Sequence, residues 1–244
     1  MKKPEIPSLQ HLARNWHPQP ETVQKELVKL VKSPPLFNYS PIYGAIDDLL
    51  VWNQSVEEIS TGLKRKVSRK VVLENYLEIV QLLGEHFSSI TPDFVHRLDR
   101  RTYRVDRDVL IPFDPPLIYG LNGIITFPWF SFWRSNPLKD ERLSLFVTIV
   151  SELLAQDPDL DEACFEIFDF SAPKGKGNQK FARELKVINA REIQKLTPQR
   201  VTEMLEVYIA GYNAACLELS GMVEETAIDD PRDDRDLGQP GLFD

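Results

Sequence analysis

Three side chains have the types and spacing for metal-assisted hydrolysis: Asp169, Glu184 and Lys186. Residues 163–171 are rich in Phe and Ile and read as a strand. Residues 181–188 read as its antiparallel partner. Glu184 and Lys186 are two apart, so they share one face of that partner. Asp169 comes late in the first strand. Two carboxylates and a lysine on adjacent strands can hold a magnesium ion and a water that attacks a phosphodiester. The same three residues also suit an ordinary cross-strand salt bridge on an exposed face.

Other chemistry finds less support. His11, His17, His86 and His96 show no metal-ligand spacing with one another or with a cysteine. Cys164 and Cys216 are too few for a disulfide scaffold or a four-cysteine zinc site. Ser131 and Ser171 lack a nucleophile-elbow context. Lys174-Gly175-Lys176-Gly177-Asn178 is glycine-rich but joins two strands, so no helix N-terminus would face a phosphate there. The expectation is no metal and no cofactor, with magnesium only under the hydrolytic reading.

The Asp169…Glu184-x-Lys186 pattern resembles the signature of the restriction-endonuclease-like nuclease superfamily. The resemblance covers residues 169–186. It implies that Asp169 and Glu184 bind the metal and that Lys186 positions the attacking water. In that superfamily the signature usually sits in the second and third strands of the core. Here it follows a hairpin at 109–134 and a helix at 140–154.

Two basic clusters could meet phosphates. The first comprises Lys64, Arg65, Lys66, Arg69 and Lys70. The second comprises Arg97, Arg100, Arg101, Arg104 and Arg107, offset by Asp99 and Asp106. Each could equally be a solvated helix junction or a salt-bridged strand. The net charge of −8 does not oppose nucleic-acid contact, because it is unevenly placed. Residues 224–244 hold eight acidic residues and two arginines, a net of −6. The remaining chain is nearly neutral.

The sequence closes with Gln239-Pro240-Gly241-Leu242-Phe243-Asp244. Gln239-x-x-Leu242-Phe243 resembles the motif by which bacterial DNA polymerases and mismatch-repair proteins dock on the sliding clamp. That motif is commonly Gln-Leu-Ser/Asp-Leu-Phe, so Pro240 and Gly241 depart from it. From composition, a chance match anywhere in the chain is about 6%, and one within residues 235–244 about 0.2%. The resemblance implies that Gln239 sets the register and that Leu242 and Phe243 fill a pocket on the clamp. In an acidic segment expected to be disordered, two such apolar side chains have no core to join.

These residues need a scaffold. With 244 residues, 42% hydrophobic and 27% charged, the chain can bury a substantial core. Residues 1–95 read as a helical region. The apolar stripe Val23, Leu27, Leu30 and Val31 marks a helix over 20–32. Ser40 and Ser68 are expected caps of two later helices, and a further helix follows Ser55. Residues 96–222 read as an α+β region packing with the first as one domain. Asn122-Gly123 marks a hairpin turn, with strands near 109–121 and 124–134. The aromatic second strand, from Thr126 to Trp133, reads as core, with base stacking as the alternative. Helices are expected over 140–154 and from Thr197-Pro198 to Gly221. Residues 223–244 are expected to be a disordered acidic tail.

The fold class expected is therefore α+β: a helical N-terminal half on a small, mainly antiparallel sheet with further helices. The uncharged window 115–133 is no membrane span, because prolines and glycines interrupt it. No apolar stretch follows Lys2 and Lys3, so no secretory signal is expected, and the expected address is the cytoplasm. Three functions fit. The first is a bacterial DNA replication, repair or mobile-element accessory protein recruited to the sliding clamp, in possible contact with DNA. The second is a magnesium-dependent DNA nuclease. The third is a protein-binding scaffold unrelated to DNA. The oligomeric state is not legible in the sequence.

Overall fold

The computed structural model describes residues 6–33, 38–106, 109–136, 138–173 and 181–228. Seven helices and seven strands order as α1 (Leu9–Asn15), α2 (Pro20–Lys32), α3 (Ser40–Leu50), α4 (Val56–Lys66), α5 (Lys70–Phe87), β1 (Phe94–His96), β2 (Arg101–Asp106), β3 (Val109–Phe113), β4 (Ile118–Leu121), β5 (Ile124–Ser131), α6 (Asp140–Leu154), β6 (Cys164–Asp169), β7 (Lys186–Asn189) and α7 (Pro198–Ile228). The fold is α+β.

The central sheet has the order β1-β4-β5-β6-β7, and β2-β3 forms a separate two-stranded ribbon. Within the central sheet only β5 and β6 run parallel, joined by the crossover helix α6. The β4–β5 hairpin turns at Asn122 and Gly123, both with positive φ, at 53° and 78°. That conformation is the one Asn-Gly favours in a two-residue hairpin. Residues 109–121 do not form one strand. Pro115 and Pro116 interrupt the run, so β3 pairs with β2 and β4 pairs with β5.

The sheet is covered on both faces. On one face Phe127, Trp129, Phe165 and Ile167 pack with α1, α2, α6 and α7. On the other, Phe130, Phe132, Phe168 and Phe170 pack with α3, α4 and α5. The strict alternation along β5 and β6 follows from the two-residue period of a strand. The aromatic strand is therefore core, and base stacking on it is excluded: Phe127, Trp129, Phe130 and Phe132 are each 3% exposed or less. The helical N-terminal half is also divided. The α1–α2 pair and the α3–α5 group lie on opposite faces of the sheet. The Trp16 indole, just past α1, donates to the Met204 carbonyl of α7 at 2.9 Å and ties the first group to the last helix.

Local capping and stripe signals differ in outcome. Ser55 caps α4 through a complete capping box with Glu58. Ser40 instead lies within α3, and its N–H donates to the Asn38 side chain. Ser68 does not cap α5, which starts behind Arg69 without a side-chain cap. Val71 faces solvent, because α5 buries the stripe Tyr76, Ile79, Val80 and Leu83. On α2 the buried set is Val23, Leu27 and Val28, with Leu30 exposed. Helix α7 continues beyond Gly221 to Ile228. A single glycine costs a helix only about 1 kcal/mol, and Glu224, Glu225 and Ala227 are strong helix formers. No helix among the described residues is long and apolar enough to cross a membrane.

Candidate functional site

Strands β6 and β7 pair antiparallel as expected, with Asp169 directly opposite Lys186, but β7 spans only Lys186–Asn189 and not 181–188, so Glu184 does not share a strand face with Lys186. Glu184 precedes β7, and its backbone N–H donates to the Ser171 carbonyl at 3.2 Å. The three side chains nevertheless take two different environments. Asp169 is 3% exposed, and its carboxylate accepts from Asn136 Nδ2 at 2.7 Å, Ser171 N at 3.0 Å and Ser171 Oγ at 3.1 Å. Glu184 and Lys186 are exposed and pair with each other at 3.9 Å. The cavity beside Asp169 has a volume of about 10 Å³ and includes Ser131. Ser131 Oγ is buried without a hydrogen-bond partner among the described residues. Such a space suits one water. A magnesium ion usually retains several waters and needs more room. Among the described residues, no three His, Cys, Asp or Glu side chains form a metal-binding group.

The hairpin is held by Arg183, which in the sequence counts only as one of several hairpin cations able to neutralise the carboxylates. Arg183 is 4% exposed, and its guanidinium donates to the Phe170 carbonyl and to Asn75 on α5, each at 2.5 Å. Glu78, also on α5, accepts from the Arg183 backbone N–H at 2.6 Å and from Arg134 at 3.1 Å. Burial pulls the Arg183 pKa down, while Glu78 opposes that shift. In sequence Arg183 looks like one more cation beside a lysine-rich loop. Its depth follows only from the contact of β6 with α5. The loop cations Lys174, Lys176 and Lys180 lie outside the described residues.

The second basic cluster is largely neutralised within the fold. Arg97 hydrogen-bonds Asp47. Arg100 grips Asp114 with two bonds, at 2.5 and 3.0 Å. Arg101 reaches the C-terminal end of α6, donating to the Leu153 carbonyl at 3.0 Å and to Asp157 at 2.6 Å. A cation there also complements the helix dipole. Arg104 is exposed on β2 and has no ion-pair partner among the described residues. Arg107 lies outside them.

The first cluster differs. Lys64, Arg65 and Lys66 fill the last turn of α4, Arg69 precedes α5, and Lys70 opens it. All five are exposed. Only Lys70 has an ion pair among the described residues, a 3.9 Å contact with Glu74 across one helical turn. The first turn of α5 carries no acidic residue and no side-chain cap. Its free N–H groups therefore add partial positive charge to an already cationic junction.

Gln239, Leu242 and Phe243 lie outside the described residues. No protein-family model matches the chain, and no curated protein matches it.

Proposed function

We propose that this chain is an accessory protein of bacterial DNA replication, repair or mobile-element maintenance, recruited to the sliding clamp by Gln239-x-x-Leu242-Phe243. The observation that carries the reading is that spacing of one amide and two large apolar side chains behind a strongly acidic segment. Burying Leu242 and Phe243 contributes on the order of 3–6 kcal/mol gross. After ordering costs, a dissociation constant of order micromolar follows, which suits transient recruitment.

The cationic junction between α4 and α5 supports a DNA partner for the body. Four of its cations have no ion-pair partner among the described residues, so phosphates can take that place without breaking an existing ion pair. Clamp and DNA would then be held by different parts of one chain. The test is capture by purified bacterial sliding clamp. The full chain should be retained, and a chain ending at Gly238 should not. Equal retention of both would remove the basis of the proposal.

A further inference from the structure

A groove of about 670 Å³ runs between β2 and α7 and reaches Glu152 of α6. Strand β2 lines it with Tyr103, Arg104, Val105 and Asp106, and no described residue of β3 does. The groove therefore follows the edge of β2 that β3 leaves unoccupied. Neither the clamp reading nor the cationic junction uses it.

That edge carries unpaired backbone groups. Thr102 stands opposite Pro112, which has no N–H. Residues of an antiparallel ladder alternate between pairs that exchange both hydrogen bonds and pairs that exchange none. Thr102 and Pro112 must be a pair of the second kind. Arg101 and Tyr103 then bond to β3, and the N–H and C=O groups of Thr102 and Arg104 point the other way. Both residues are exposed. Apart from the ladder itself, no backbone–backbone hydrogen bond reaches residues 101–106 among the described residues. Such an edge is a template for another strand.

The groove also selects its occupant. Val105 and Ile209 are half-buried in it, and Pro198 and Ala210 are exposed, so it offers apolar surface beside the strand edge. Its charge is acidic, with Asp106, Glu152 and Glu206 against the one cation Arg104. Glu152 accepts from the Tyr103 hydroxyl at 2.9 Å and keeps lone pairs for further donors. Glu206 is exposed and has no ion-pair partner among the described residues. This charge disfavours DNA, and it disfavours residues 224–244 of the chain itself, with their net of −6.

We propose that the groove docks an extended, basic peptide segment of a partner protein, which adds a third strand to the β2–β3 ribbon along Thr102 and Arg104. Main-chain hydrogen bonds supply affinity, and alternate side chains supply specificity. Apolar side chains at every second position lie against Val105 and Ile209, and Lys or Arg side chains meet Glu152 and Glu206. The proposal does not depend on clamp recruitment.

The test selects random linear peptides displayed on phage against the immobilised full chain, then measures the enriched peptides by calorimetry. They should be basic, with apolar residues at alternate positions, and their binding should saturate. Arg104→Pro removes an outward N–H and leaves the bonds to β3 in place, as proline can on an edge strand. It should weaken binding about tenfold, whereas Arg104→Ala should not weaken it. Glu206→Lys, on an exposed side chain, should also weaken binding, and covers the case in which Arg104→Pro lowers the melting temperature. A synthetic peptide of residues 229–244 should not bind. The proposal is overturned by no enrichment, by enrichment of acidic sequences or by binding of the 229–244 peptide. Unchanged affinity in Glu206→Lys, or equal affinity in Arg104→Ala and a folded Arg104→Pro, overturns it as well.

Discussion

Asp169 and Lys186 stand directly opposite each other in the β6–β7 ladder, yet no ion pair joins them. Lys186 turns to Glu184 at 3.9 Å, and Asp169 turns inward to Asn136 and Ser171. The carboxylate that metal chemistry would need is thus already supplied with donors, beside a cavity with room for about one water.

Magnesium should accordingly leave the melting temperature unchanged. Asp169→Ala should cost about 2–4 kcal/mol, because it strands the Asn136 amide and the Ser171 N–H. Glu184→Gln and Lys186→Ala should stay within about 0.5 kcal/mol, as exposed sites do. Denaturant unfolding with and without magnesium checks all three. A magnesium-dependent gain that Asp169→Asn removes would restore the hydrolytic reading.

DNA binding by the body should be weak and strongly salt-dependent. Replacing Lys64, Arg65, Lys66 and Arg69 together by Ser should lower the affinity. It should also reduce the slope of log K against log salt by about 0.9 for each phosphate no longer neutralised. Arg97→Ser or Arg100→Ser should matter less to DNA, since those guanidinium groups are bonded to Asp47 and Asp114. Removing residues 229–244, six acidic residues and two arginines, should strengthen binding. Fluorescence anisotropy at several salt concentrations separates these effects.

The packing of α2 against α7 depends on a close approach at Gly211. A Cβ there would lie 2.7 Å from both the Pro20 carbonyl oxygen and Val23 Cβ. Gly211→Ala should therefore destabilise the fold by about 1–3 kcal/mol, the usual range for overpacking. Gly44→Ala on α3 meets nothing within 4 Å and should stabilise by about 0.5–1 kcal/mol. Urea titrations of the two variants should move in opposite directions.

Stability should fall on mild acidification. Burial, and then the Arg14 charge, lowers His11 below 6.5; burial alone lowers His86. Below that pH the unfolded chain binds protons at these imidazoles before the folded chain does. The folded state therefore loses stability as pH falls through 6.5 toward the lower folded values, and regains it above. His86 packs edge-on to Phe87 and Phe168, so His86→Gln should flatten this slope while costing some packing. Melting temperatures measured from neutrality down to about pH 5 report it.

The extent of the fold legible in the sequence differed by element. Helices α2 and α6 could be bounded correctly, because Pro20 starts one and clear apolar stripes define both. The Asn122-Gly123 turn and the β6–β7 pairing were also legible, since both are local. What was not legible depends on long-range packing. Nothing in the spacing of Leu9, Leu12 or Ile46 says that α1 and α3 lie on opposite faces of the sheet. The parallel pairing of β5 with β6 depends on the path of α6. The buried Arg183 and the unpartnered Trp129 Nε1 depend on neighbours far away in sequence. For the candidate sites the order is reversed. The docking peptide is visible only as residue types and spacing, whereas the inward turn of Asp169 is visible only in three dimensions.

The central claim is tested most directly by the affinity of the full-length chain for purified bacterial sliding clamp, with and without Leu242→Ala plus Phe243→Ala. Recruitment through that peptide predicts a dissociation constant of order micromolar for the unaltered chain. It predicts no measurable binding for the double variant, with the melting temperature unchanged. Equal clamp affinity in the two proteins, or a variant that loses folded stability, would contradict it.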